Sequence, residues 1–157
     1  MMRRREKELK DKVTIRALLE RTPVGRLATV NRHGCPVIKP VNFLYLDGKI
    51  YIHSSRKGEK IRDIRRGSAV CFELDEAVSY VVASGLACSA NTYYRSIIVK
   101  GKAQRVIREA RKKEILDRLM DKYQPEGGYG EMSKEILGKT AVIEIAIDVM
   151  TGRESLG

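Results

Sequence analysis

The sequence predicts a mainly β fold with flanking helices: about six antiparallel strands closing into a barrel, with about three helices packed outside it. Three observations carry that expectation. Short runs of alternating apolar and polar residues follow one another through the first half, separated only by brief turn sequences. Asp47-Gly48 lies between two such runs and is a strong two-residue hairpin signal. Near the end, Val142-Ile143-Glu144-Ile145-Ala146-Ile147 is nearly all apolar, as in a strand that is central or lies at an interface.

Residues 1–12, crowded with Arg, Lys and Glu, read as a mobile charged arm. Residues 14–21 follow as a short helix with Thr14 as N-cap, Ile15, Leu18 and Leu19 on one face, and Thr22-Pro23 as its stop. Strands are expected at 24–31 and 36–46, joined by the turn Arg32-His33-Gly34-Cys35. After the Asp47-Gly48 turn, 49–53 returns with Ile50 and Ile52 on one side and Tyr51 on the other.

The chain then leaves the sheet through 54–58, and 59–66 reads as a helix with Ile61 and Ile64 inward, closed by Gly67. Strands at 69–74, 79–83 and 96–107 come next, the last interrupted by Gly101, where a bulge or a close backbone approach is expected. Residues 109–123 form a clear amphipathic helix with Ile115, Leu116, Leu119, Met120 and Tyr123 on its buried side. A glycine-rich loop at 124–130 and a strand at 140–149 complete the chain, with no repeat and no linker long enough to divide it. A single domain spanning 1–157 is expected.

Composition narrows the function. The net charge is +11, yet the bases at 3–12, 56–66 and 100–122 are interleaved with acids, as on solvated helix faces. A single-stranded nucleic-acid groove would want aromatic stacking platforms, and the chain has two Phe and no Trp. No apolar run approaches the roughly 20 residues of a membrane span, so neither nucleic acid nor membrane is an expected partner. Cys35, Cys71 and Cys88 are far apart and form no Cys-x-x-Cys pair, which together with a charged amino terminus points to a cytoplasmic protein with reduced thiols. No metal site is expected from these cysteines with His33 and His53.

Chemistry concentrates in His53-Ser54-Ser55-Arg56-Lys57-Gly58-Glu59-Lys60, which passes from a strand into a helix. A bound phosphate wants hydroxyl donors, a residue that lets the backbone approach, and a cation near a helix start. Ser54 and Ser55, Gly58, and Arg56, Lys57 or Lys60 supply these. A capped helix with solvated bases accounts for the same residues. His53, at the strand end, is placed to turn its ring into a barrel mouth. No Gly-x-Ser-x-Gly elbow or Gly-x-Gly-x-x-Gly accompanies it, which argues against hydrolase and Rossmann chemistry.

Taken in order, several segments resemble the pyridoxamine 5′-phosphate oxidase-like FMN-binding split barrels, in their nitroimidazole-reductase-like branch. They are Gly25-Arg26-Leu27-Ala28-Thr29-Val30, Pro40-Val41-Asn42-Phe43, and Tyr51-Ile52-His53-Ser54-Ser55 with Gly58 and Lys60. Val70-Cys71-Phe72-Glu73, residues 94–103 from Tyr94 to Ala103, and Thr140-Ala141-Val142-Ile143-Glu144-Ile145 complete them. The resemblance implies a six-stranded Greek-key split barrel and a homodimer that holds two FMN molecules between its protomers. Lys39, Pro40, Val41 and Asn42 would line the isoalloxazine edge, largely through backbone groups. Ser54, Ser55 and Lys60 would hold the phosphate, with Arg56 and Lys57 as further candidates because they resemble the oxidases' phosphate-binding Arg-Lys pair. Tyr94 and Ser96 would reach the flavin from the partner chain. In this branch a histidine near the flavin is the proposed active-site residue, and His53 matches it. The implied activity is transfer of electrons from reduced FMN to a small organic acceptor such as a nitroaromatic; the same cradle would serve a protein that binds the cofactor for storage or sensing. The pyridoxamine oxidases have a basic carboxy-terminal substrate region that this sequence, ending at Gly157, does not show, so pyridoxamine phosphate is not the expected substrate.

Overall fold

A computed structural model describes residues 5–156. In chain order the elements are β1 (Glu8–Leu9), α1 (Lys12–Arg21), β2 (Gly25–Val30), β3 (Pro36–Val41), β4 (Leu44–Leu46), β5 (Lys49–Ser55) and α2 (Glu59–Arg65). They continue with β6 (Ala69–Val81), β7 (Asn91–Arg105), α3 (Glu109–Tyr123), α4 (Lys134–Lys139) and β8 (Thr140–Ser155). The strands form one sheet in the order β3-β2-β6-β7-β8-β5-β4, with β1 also paired to β8, and every pairing is antiparallel.

That order forces the sheet to close. β3 and β4 stand at its two ends, and in a flat sheet six strand spacings would hold them roughly 29 Å apart. Only Asn42 and Phe43 separate them in the chain, a reach of roughly 10 Å from Val41 to Leu44. The sheet therefore curls into a barrel with an unbonded seam where β3 hands over to β4. Pro36 and Pro40 lie in β3, and an edge strand is where proline is tolerated.

Phe43 seals the seam, fully buried and packed edge-to-face on Phe72 with ring centroids 4.9 Å apart. The last turn of α3 staples it. The Tyr123 hydroxyl accepts from the Phe43 backbone N–H at 2.9 Å and donates to the Pro23 carbonyl at 2.7 Å. Lys122 Nζ sits 3.7 Å from the Phe43 ring centroid, and burial pushes its ammonium down to about 8. The expected strand at 36–46 is thus two strands, divided because these α3 groups hold Phe43 out of a ladder.

The barrel interior takes Leu27, Val41, Ile50, Ile52, Phe72, Leu74, Ile97, Val99, Ile143 and Ile145, plugged by Leu18 and Leu19 of α1 and Ile61 and Ile64 of α2. A second cluster lies outside the wall, where Ile115, Leu116 and Leu119 of α3 cover Tyr51 and Val142. Each such side chain contributes about 1.5–3 kcal/mol on burial. The outer layer is tied by polar contacts as well: Glu144 accepts from Lys49 at 2.9 Å and from the Tyr51 hydroxyl at 3.0 Å, and Arg111 of α3 donates to that hydroxyl at 3.0 Å.

Other expectations need correction. The segment 1–12 is not wholly a mobile arm: Glu8 and Leu9 pair with Arg153 and Gly152, and Leu9 is buried, while 1–4 lie outside the described residues. Asp11, not Thr14, caps α1, accepting from the backbone N–H groups of Val13 and Thr14 at 3.3 and 3.0 Å. The strands expected at 69–74 and 79–83 are one strand that ends at Val81, with a bulge at 77–79, because Asp75 and Glu76 find Arg26, Arg21 and Arg95 across the sheet surface. The expected break at Gly101 is present as a register shift against β8, where a Cβ would overlap the Ala146 carbonyl oxygen. α4, capped by Ser133, was not expected.

Candidate functional site

β5 delivers the candidate residues. Its register against β8 sets His53 opposite Val142 and Ser55 opposite Thr140, at the end of the barrel wall. Because Ile50 and Ile52 face the interior and Tyr51 faces α3, alternation puts His53 on the outer surface. The expectation that its ring enters the barrel mouth is corrected accordingly. Ser54 is half-buried, and Ser55 is exposed with its hydroxyl accepting the Lys57 N–H at 3.3 Å. Gly58 then turns the chain at φ 129°, in a region L side chains rarely adopt, and α2 begins without a side-chain cap.

Three bases converge beside this turn. Lys39 of β3 pairs with Glu59 of α2 at 3.3 Å. Lys60 is half-buried, and its ammonium is held below the ordinary lysine value first by burial and then by the charge of Lys39. The His53 imidazole is likewise lowered, by desolvation and then by Lys60. No side chain hydrogen-bonds His53 among the described residues, and its lowered value leaves it a mostly neutral ring near pH 7, beside the Lys60 ammonium.

The other sequence candidates divide. Arg56 turns away from the Lys39–Lys60 group and donates from Nη1 to the Gly138 carbonyl at 2.9 Å, while Lys57 is exposed. Pro40 is exposed, Val41 is buried in the core, and Asn42 Nδ2 donates to the Pro23 carbonyl at 3.4 Å. Since β3 is paired only with β2, the backbone along its free edge remains open to a ligand. Tyr94 and Ser96 do not join this group. Tyr94 pairs with Ser155, and His53 with Val142, about 13 residues apart along β8, or roughly 40 Å of strand.

Glu59 was missed in the sequence. Its only local signal is an acid in the first turn of a helix, and its pairing with Lys39 depends on how β3 and α2 meet in space. Among the described residues no group of three or more His, Cys, Asp or Glu gathers as a metal site would require, and no helix is long and apolar enough to cross a membrane.

The family profile described as pyridoxamine 5′-phosphate oxidase matches residues 11–154. Comparison with curated proteins finds no match. Among solved structures, the chain is similar to a candidate 5-nitroimidazole antibiotic resistance protein from Bacteroides thetaiotaomicron, with 24% identity and TM-score 0.82 over 94% of this chain and 86% of that one. It is similar to an FAD and heme binding protein from Mycobacterium smegmatis, with 23% identity and TM-score 0.85 over 96% and 74%. A flavocytochrome from Azotobacter vinelandii shares 22% identity and superposes with TM-score 0.88 over 100% and 73%. At these identities the likeness speaks for the fold, and it is the fold derived above: one antiparallel sheet curled into a barrel with a seam. Together with the profile spanning 11–154, it shows that this chain belongs to the pyridoxamine 5′-phosphate oxidase-like family of split barrels.

Proposed function

We propose that the protein is an FMN-dependent oxidoreductase that works as a homodimer and reduces a small organic acceptor. The observation that carries this reading is the convergence of Lys39, Lys60 and His53 beside the open edge of β3. A half-buried Lys60 ammonium with the charge of Lys39 nearby is an unfavourable arrangement that a phosphate dianion would relieve. Lys60 is the base assigned to the phosphate, with Ser54 and Ser55 beside it; Arg56 faces elsewhere and Lys57 is solvated. The backbone of 39–42 suits the flat edge of an isoalloxazine ring.

Reach supports the dimer. Tyr94 and Ser96 lie too far along the sheet to touch a flavin held at His53 of their own chain, so their contact with it would come from a second protomer. Val78, Tyr80, Val82 and Leu86, all exposed around the tip of the β6–β7 ribbon, provide apolar surface for that association. Flavin, when bound, supplies the redox chemistry. The chain supplies binding through Lys39 and Lys60, a backbone edge along β3, and at His53 a neutral imidazole that orients the acceptor by hydrogen bonding. The flavin- and haem-binding proteins of similar fold support a flavin as the cofactor class.

Titration of the purified protein with FMN, followed by flavin fluorescence, is expected to saturate at one FMN per chain, with sedimentation reporting a dimer. Reduction of a nitroaromatic panel by the loaded protein with a chemical reductant then separates an enzyme from a protein that only stores or senses flavin. A protein that binds no FMN would overturn the proposal; one that binds without turnover would leave the cofactor reading and remove the enzymatic one.

A further inference from the structure

A second basic site lies behind the cradle. A cavity of about 400 Å³ opens between α3, α4 and the ends of β7 and β8, lined by Arg56, Arg105, Lys112 and Lys134, with Glu109 as its one acid. It shares none of Lys39, His53 and Lys60.

Its bases are held in place. Arg56 donates to the Gly138 carbonyl at 2.9 Å, and Lys112 donates to the Leu137 carbonyl, so the carboxy-terminal end of α4 fixes both while leaving four N–H donors on Arg56 and two on Lys112. Arg105 Nε is buried and has no hydrogen-bond partner. That is a costly condition for a charged donor unless a ligand completes it. The first turn of the fifteen-residue α3 faces the same space through Glu109, and Arg108 at its N-cap makes no side-chain cap. The Lys112 ammonium is lowered by burial and by the charge of Arg56, with Glu109 partly offsetting them and Arg105 adding to them, a net excess of positive charge that an anion would relieve.

We propose that this cavity is a binding site for a phosphorylated small molecule, held through its phosphate by Arg105, Lys112, Arg56 and Lys134 and separate from the flavin cradle. The volume accommodates a phosphate ester with a small organic body. Two sources of that phosphate share this chemistry: a phosphorylated metabolite, or the adenylate-side phosphate of a dinucleotide flavin whose FMN half lies in the cradle.

The test is calorimetric titration with inorganic phosphate and with pyrophosphate, using the purified full-length chain in excess FMN. Pyrophosphate is expected to bind, and Arg105→Gln to weaken it about 10- to 150-fold, the loss of one charge-assisted contact. Lys134→Gln, at an exposed position on α4, is expected to weaken binding in the same direction without involving a buried group. FMN affinity is expected to be unchanged in both variants, whereas Lys60→Ala is expected to leave pyrophosphate binding intact. Displacement of both FMN and pyrophosphate by FAD would assign the site to a dinucleotide cofactor; displacement of FMN with pyrophosphate retained would assign it to a free phosphorylated metabolite. Either result supports the site. Failure of pyrophosphate to bind, competition from FMN, or unchanged affinity in both folded variants would overturn the proposal. None of those results would by itself touch the flavin reading, which stands or falls on FMN binding.

Discussion

Replacing Lys60 by alanine separates cofactor binding from folding. In the free protein the half-buried ammonium is depressed by burial and by Lys39. A base whose folded value lies below its ordinary 10.5 disfavours the fold at neutral pH, and the penalty fades only as pH rises from the depressed value toward 10.5. Lys60→Ala is therefore expected to leave the apoprotein as stable as the parent, or more so, at pH 7. With FMN bound the same ammonium gains a dianionic partner. Losing a charge-assisted contact costs about 1.5–3 kcal/mol, which is about 10- to 150-fold in Kd. The assay pairs urea denaturation of the apoprotein with an FMN titration by fluorescence quenching. Arg56→Ala, whose guanidinium is engaged at the Gly138 carbonyl, is the control expected to leave the FMN Kd nearly unchanged. An unchanged Kd in Lys60→Ala would refute the phosphate assignment, and a large Kd change in Arg56→Ala would transfer the role. Weaker FMN binding that merely tracked a loss of apoprotein stability would show a structural lysine.

Three further expectations follow from the same geometry. His53 should titrate below 6.5 in the apoprotein, because burial and Lys60 disfavour its charged form; the unfolded chain then binds the extra proton first, so this group costs stability as pH falls below about 6.5. NMR titration of the imidazole reads the midpoint, FMN should raise it by countering Lys60, and a midpoint above 6.5 without ligand would contradict the placement. Gly101→Ala should destabilise the fold by about 1–3 kcal/mol in urea, since the new methyl meets the Ala146 carbonyl; a neutral effect would contradict the close strand approach. Tyr123→Phe removes the acceptor of the buried Phe43 N–H and should cost about 1–3 kcal/mol, measured in the same way; no loss would mean that the seam is held by packing alone.

What was legible in the sequence was what local periodicity encodes. α3 matches its expected span, Glu109–Tyr123, because fifteen residues of amphipathic pattern outweigh any neighbour. Gly101 announced the bulge it makes, and Asp47-Gly48 the hairpin between β4 and β5. The handover at Asn42-Phe43 was hidden, because it is decided by the Tyr123 hydroxyl 80 residues away. The continuity of β6 through Asp75 and Glu76 was hidden for a similar reason: their cations come from β2, α1 and β7. α4 is only six residues long and contains Gly138, too little pattern to see.

The site was legible in part. The stretch from His53 to Lys60 stood out by composition, yet spacing left three bases as equal candidates for a phosphate. The fold separates them: Lys60 is grouped with Lys39 and His53, while Arg56 is drawn to α4 and the basic cavity there. Alternation along β5 also moves His53 from the expected barrel mouth to the outer surface.

Whether this barrel carries a flavin is read from the absorption spectrum of the freshly purified protein. The purified protein is expected to be yellow with a visible bound-flavin band, or colourless and able to acquire that band stoichiometrically when FMN is added. A colourless protein that FMN cannot reconstitute would contradict the flavin reading.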